Sequence, residues 1–130
     1  MKIAEYRKLV KKERKPRQEL EYLEQCKVVN YLDELILRGK GIVKYTAVNP
    51  QPNTPNVVQR MKAKRAGLNP GFPDIFIIAK KAFCLEIKIK SNKPTSEQKA
   101  WIIALQNAGI NCHLVYSFEE AKEIIDKVVL

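Results

Sequence analysis

Three charged side chains, Asp74, Glu86 and Lys88, interrupt two short apolar runs in the stretch GFPDIFIIAKKAFCLEIKIK, residues 71–90. Two carboxylates brought side by side repel, and burying them costs several kcal/mol unless something compensates. A divalent cation does so directly. Mg2+ and Mn2+ are hard ions that take oxygen ligands, often one or two carboxylates completed by water and substrate phosphate. A lysine beside such a pair can orient or deprotonate a water, or stabilise charge growing on phosphate oxygens. Cation, water and lysine together suit phosphodiester hydrolysis. The plainer alternative is an ordinary hairpin carrying a surface ion pair.

The element that must position these residues is a β-hairpin. Ile75 to Ala79 and Ala82 to Ile89 are short, rich in Ile and Phe, and bounded by Gly/Pro and Ser-Asn, which favours strands over helices. Side chains alternate along a strand, so Phe83, Leu85, Ile87 and Ile89 share one face, and Cys84, Glu86, Lys88 and Lys90 the other. Register decides where Asp74 falls. A two-residue turn at Lys80-Lys81 sets Asp74 opposite Ile87, on the wrong face. A three-residue turn centred on Lys80 pairs Asp74 with Glu86, Ile75 with Leu85 and Ile77 with Phe83. That register places the apolar partners on one face and both acids with Lys88 on the other, so the odd-length turn is expected.

Pro73-Asp74 followed by Glu86-Ile87-Lys88 resembles the PD-(D/E)xK nuclease superfamily. The wider run is similar to its VRR-NUC family: Gly71-Phe72-Pro73-Asp74 to the G-x-PD motif, the stretch from Thr95 to Trp101 to the "sxxQxxW" helix start, and Ala108-Gly109-Ile110 with the strand after it to the family's ending. The similarity runs from about Glu21 to Tyr116. The resemblance implies an α/β fold with a restriction-endonuclease-like core, a mixed central β-sheet flanked by helices. It further implies a Mg2+ or Mn2+ cofactor held by Asp74, Glu86, the backbone carbonyl of Ile87 and a glutamate on the first helix, with Lys88 and Gln98 completing the catalytic set. Small stand-alone members resemble Holliday-junction resolvases, which implies a homodimer acting on branched DNA.

That first helix should run from Pro16 to about Leu37, with Gly39 past its end. With Val28 at the centre of its inner stripe, Leu32 and Leu35 lie within about 40°, and so do Glu21 and Glu24. Two acids at the buried stripe's end fit a site at the edge of the core; alternatively the stripe starts at Val28 and both see water. The family's glutamate stands about four residues before a glutamine, and Gln25 therefore implies Glu21, with Glu24 as the alternative. In the later helix Thr95 is a good N-cap and Gln98 falls at its N3 position, which forms a capping box. The resemblance instead sends Gln98 to the active site, and one side chain is not expected to do both. Trp101, Ala104, Leu105 and Ala108 are the expected packing face.

Elsewhere, Ile42 to Val48 reads as a first strand, and the proline-rich run 49–55 as a loop. Val57 to Ala66 reads as a short helix whose Arg60, Lys62, Lys64 and Arg65 suit phosphate binding, and Lys90 and Lys93 sit in a second basic loop. A solvated helix face is the plain alternative. Asn111 to Tyr116 should be a strand parallel to the one carrying Glu86, because a helix connects them. Ser117 should cap a last helix, with Glu120 repeating the capping box and Ala121, Ile124, Ile125 and Val128 packing on the sheet.

A chain of 130 residues holds one domain with a modest core. The expected layout is a basic arm, residues 1–15, and a nuclease-like domain, residues 16–130. No apolar run approaches the ~20 residues of a membrane span. The basic start lacks a signal peptide's apolar core, so an intracellular protein is expected. Cys26, Cys84 and Cys112 are far apart and odd in number, which favours buried thiols over disulfides or zinc. His113 is the single histidine, which disfavours chemistry built on paired histidines. The net charge of +10 is unevenly spread: residues 57–70 hold four basic residues and no acid, whereas the C-terminal part is mildly acidic. Such asymmetry suits a nucleic-acid backbone. The expected function is metal-dependent endonucleolytic cleavage of DNA, selective for structure because no separate recognition module is present. An inactive nucleic-acid-binding domain and a sequence-specific restriction-type enzyme are the alternatives.

Overall fold

A computed structural model describes residues 2–5, 17–42, 44–48, 56–89 and 91–129. Most of the basic arm, the proline-rich loop and Lys90 lie outside the described residues. The elements run α1 (Arg17–Leu37), β1 (Lys44–Ala47), α2 (Val57–Arg65), β2 (Ile75–Ile78), β3 (Ala82–Ile87), α3 (Ser96–Asn107), β4 (Asn111–Val115) and α4 (Phe118–Val129). The four strands form one mixed sheet in the order β1-β2-β3-β4. β1 and β3 are antiparallel to β2, while β4 is parallel to β3. α3 makes the crossover that a parallel pair requires.

The hairpin adopts the odd-length turn. Ile75 pairs with Leu85, Ile77 with Phe83 and Ile78 with Ala82, leaving Ala79-Lys80-Lys81 as the loop. Ile75, Ile77, Leu85 and Ile87 are at most 2% exposed. Burying each is worth about 2 kcal/mol. A one-residue slip would turn all four away from the α1 and α4 side chains they pack against and bring Glu86 into that core instead.

Helices cover both faces of the sheet. On one face, Val28, Leu32 and Leu35 of α1 and Ala121 and Ile125 of α4 pack over Ile75, Ile77, Leu85 and Ile87. Tyr31 of α1 donates its hydroxyl proton to Asp126 of α4, tying the two helices together. On the opposite face, Leu105 of α3 packs with Cys84 and Cys112, flanked by Phe72, Phe76, Trp101 and Ile102. The apolar residues of β2 and β3 are therefore not confined to one face, as the register argument had them: Phe76 pairs with Cys84 on the face that carries Glu86. A central strand covered by helices on both sides reads as a continuous apolar run because neither face meets water.

The packing face of α3 also differs from expectation. Leu105 is buried and Trp101 and Ile102 are half-buried, whereas Ala104 and Ala108 are exposed. Together with Gln98 these define an i, i+3, i+4, i+7 stripe, and so turn Gln98 inward. At α4, Ser117 Oγ accepts from the Glu120 amide at 3.2 Å, but Glu120 Oε2 accepts from the Tyr116 amide at 2.8 Å and not from that of Ser117. The half-box thus reaches one residue further back. Cys26 is half-buried, while Cys84 and Cys112 are buried free thiols. Burial holds the His113 imidazole below its usual pKa, beside the Phe83 ring. Among the described residues no helix is long and apolar enough to cross a membrane.

Candidate active site

Asp74 stands at the mouth of β2, where two backbone bonds fix it. Its carbonyl accepts from the Val48 amide at 2.9 Å, and its Oδ2 accepts from the Ile87 amide at 2.7 Å. The second bond ties the carboxylate to β3 next to Glu86. The loop leading to Asp74 is pressed against the first turn of α3. Gly71 has φ +102°, and a Cβ there would lie 2.7 Å from the carbonyl carbon of Glu97. Only glycine allows that approach without a shift of backbone. Trp101 Nε1 donates to the Pro70 carbonyl at 3.1 Å and its ring meets Phe72 edge-on, so Trp101 packs as a structural residue.

Glu86 is 2% exposed and Lys88 is 7% exposed. Glu86 lies on β3 and Lys88 just past its end, where the Lys88 amide continues the ladder to the Val115 carbonyl at 2.9 Å. Lys88 Nζ lies 3.7 Å from Glu86 Oε1. Burial, then the neighbouring Asp74 charge, pushes the Glu86 carboxyl up to about 8, against the pull of Lys88. Burial also raises Asp74, opposed by its bond to the Ile87 amide and by Lys88. A single ammonium is thus insufficient to keep the two acids at ordinary values.

Gln98 serves both ends of its amide. Its Oε1 accepts from the Thr95 amide at 2.9 Å while Thr95 Oγ1 accepts from the Gln98 amide at 3.2 Å, closing the capping box. Its Nε2 donates to Glu86 Oε1 at 2.9 Å. The expectation that one side chain could not do both is corrected: carboxamide oxygen and nitrogen point in opposite directions, so cap and site each take one.

Glu21 lies within electrostatic reach of both acids and raises each of them. Its Oε1 accepts from Asn92 Nδ2 at 2.9 Å. Glu24 instead pairs with Lys27 on its own helix at 3.0 Å. Asn92 carries no charge and enters the sequence reading only in the Ser-Asn that bounds the strand, and only the contact across the fold reveals its partner.

The donor set fits a divalent cation. Glu86 Oε2 is buried and has no hydrogen-bond partner, an arrangement that is costly for a carboxylate oxygen unless a ligand completes it. Among the described residues, no three His, Cys, Asp or Glu side chains gather into a ready-made metal cluster. The protein oxygens on offer are thus the Asp74–Glu86 pair and the adjacent backbone, and a third carboxylate ligand in direct contact is not formed. A cation held by so few protein oxygens would complete its coordination with water. Arg60, Lys62, Lys64 and Arg65 lie on α2, in which no residue is buried. They are exposed, as is Lys93. Asn56 caps that helix, its Oδ1 accepting from the Val58 and Gln59 amides.

The VRR-NUC domain family matches this chain over residues 3–119. A solved structure described as a VRR_NUC domain protein superposes with a TM-score of 0.53 at 19% sequence identity, over 77% of this chain and 86% of its own. At that identity the likeness speaks to the fold. No curated protein matches the chain.

Proposed function

The chain belongs to the VRR-NUC domain family, a family of nucleases, and from that premise we propose that it is a Mg2+- or Mn2+-dependent endonuclease that hydrolyses DNA phosphodiester bonds. The observation that carries this is the buried Asp74–Glu86 pair with its unpartnered Glu86 Oε2 and the buried Lys88 beside it. Asp74, Glu86 and the Ile87 carbonyl would hold the cation, with Glu21 acting through water. When bound, the cation supplies Lewis-acid stabilisation of the phosphoryl oxygens. Lys88, shielded from water, orients the attacking water or neutralises charge in the transition state. Gln98 engages Glu86 Oε1 and leaves Oε2 for the cation.

The exposed cations of α2 together with Lys90 and Lys93 provide the backbone contacts, and the arm 1–15 adds non-specific ones. Selectivity for DNA shape, toward branched substrates such as Holliday junctions or flaps, and a homodimeric enzyme follow from the resemblance of small family members to Holliday-junction resolvases.

Incubation with junction, flap and linear DNAs in Mn2+ or in EDTA tests the reading. Cleavage of branched DNA in Mn2+ alone is expected. Binding without cleavage under every metal condition would leave a nucleic-acid-binding module instead, and sharply sequence-dependent cutting of linear duplex would identify a restriction-type enzyme. Lys88→Ala should lower the cleavage rate about 100-fold or more while DNA affinity stays nearly intact. Retained cutting removes Lys88 from the mechanism.

A further inference from the structure

Glu21 sits on the part of α1 that the core does not hold. No residue from Glu19 to Lys27 is buried, and the first buried residue of the helix is Val28. That anchor is two turns away, roughly 10 Å along the axis. Apolar packing therefore leaves this end of the helix weakly located relative to the carboxylate pair. A polar contact does the locating: Asn92 Nδ2 donates to Glu21 Oε1 at 2.9 Å. Asn92 is itself fixed, because its amide donates to the Ile89 carbonyl at 2.9 Å in the turn that immediately follows Lys88. The bond thus joins the unanchored end of α1 to the end of the strand that carries Glu86 and Lys88.

We propose that Asn92 is a positioning residue that fixes Glu21 beside the Asp74–Glu86 pair, so that the third carboxylate strengthens cation binding through water. The chemistry of a neutral amide suits this task. It donates to a carboxylate and holds its direction without cancelling its charge, which a lysine or arginine would do. Glu21 thus adds its carboxylate to the field of the other two acids. Partners that orient the groups around a metal typically change affinity by about 10–100-fold when removed.

The inference rests on the reading of this site as a cation centre, and the test separates the two. Mn2+ binding to the full chain is measured by electron paramagnetic resonance, without DNA, for the wild type, E86Q, E21Q, N92A and the double variant E21Q/N92A. Wild type should bind and E86Q should not. E21Q and N92A should each weaken binding about tenfold. The double variant should bind no more weakly than E21Q, because Asn92 acts through Glu21. A merely structural Asn92 would instead weaken binding by the same factor in the E21Q background, and multiplied losses of about 100-fold would overturn the proposal. So would an N92A protein that binds like wild type. N92L, which keeps the shape and removes the donor, serves the same comparison if N92A does not fold. Wild-type protein that fails to bind Mn2+, or E86Q that binds it equally well, would overturn the cation-centre reading and this inference with it.

Discussion

Glu86 concentrates the electrostatic cost of the site. Its folded-state pKa, about 8, lies above the ordinary value of 4.5, with burial the first cause and Asp74 the second. Between those values the folded chain binds more protons than the unfolded chain, so this group's contribution is fully present below about pH 4.5 and is lost as pH rises through about 8. Asp74 is raised by burial in the same direction. Urea unfolding in EDTA from pH 5 to 9 should show E86Q gaining on wild type as pH rises, by at most about 1.4 kcal/mol per pH unit. Mn2+ should reverse that trend for wild type alone. Equal pH dependence of the two proteins would mean that Glu86 titrates normally.

Gln98 yields a second residue-scale expectation. A glutamate there keeps an oxygen for the Thr95 amide but loses the donor to Glu86 Oε1 and sets another carboxylate against it. Gln98→Glu should therefore retain helical content while losing thermal stability more at pH 8 than at pH 5, and cleavage should fall. Circular dichroism melts at the two pH values measure this. A melting temperature that drops equally at both would point to the cap and not to the carboxylate. The sequence carries the inward turn of Gln98, since 98, 101, 102 and 105 share a face, but not its dual role. The alanines at 104 and 108 drew the packing face aside because small apolar residues fit an exposed helix surface as readily as a core.

At the scale of elements, hairpin register was readable because only one pairing keeps Ile75, Ile77, Leu85 and Ile87 together inside. Glu21 was harder to place, since its position depends on Asn92, 71 residues away in the chain. No periodicity carries a contact of that kind. The junction between the Asp74 loop and α3 belongs to the same class. Gly71 brings its backbone against Glu97, where a Cβ would meet the Glu97 carbonyl oxygen at 2.8 Å and the Gln98 nitrogen at 2.9 Å. Gly71→Ala must move backbone at both elements and adds strain at positive φ, so a loss of about 2 kcal/mol or more is expected. Because the displaced turn holds Gln98, cleavage should fall further than the folded fraction accounts for. Denaturant unfolding and single-turnover cleavage on the same samples separate the two effects, and activity that tracks folded fraction alone would show that the junction does not position Gln98.

At the scale of the whole molecule, the four cations of α2 stand apart from the core. The sheet, its helices and the acid pair were legible in hydrophobic pattern, whereas the standing of α2 was not: nothing in a run of four cations tells whether a helix packs or projects. In the structure no residue of α2 is buried, and Val57, Val58 and Met61 are 56%, 60% and 51% exposed. Core packing therefore does not explain the helix, and its four cations can be removed with little expected cost to stability. If α2 supplies phosphate contacts, each lost cation should reduce the slope of log affinity against log salt by about 0.9 on duplex DNA. K62A/K64A should thus flatten the slope by about 1.8. The preference for one DNA shape over another should survive if α2 adds only non-specific affinity. Filter binding from 50 to 200 mM salt with junction and linear duplex measures both quantities. An unchanged slope would move the DNA path away from α2, and a lost shape preference would make this helix part of the branch-reading surface.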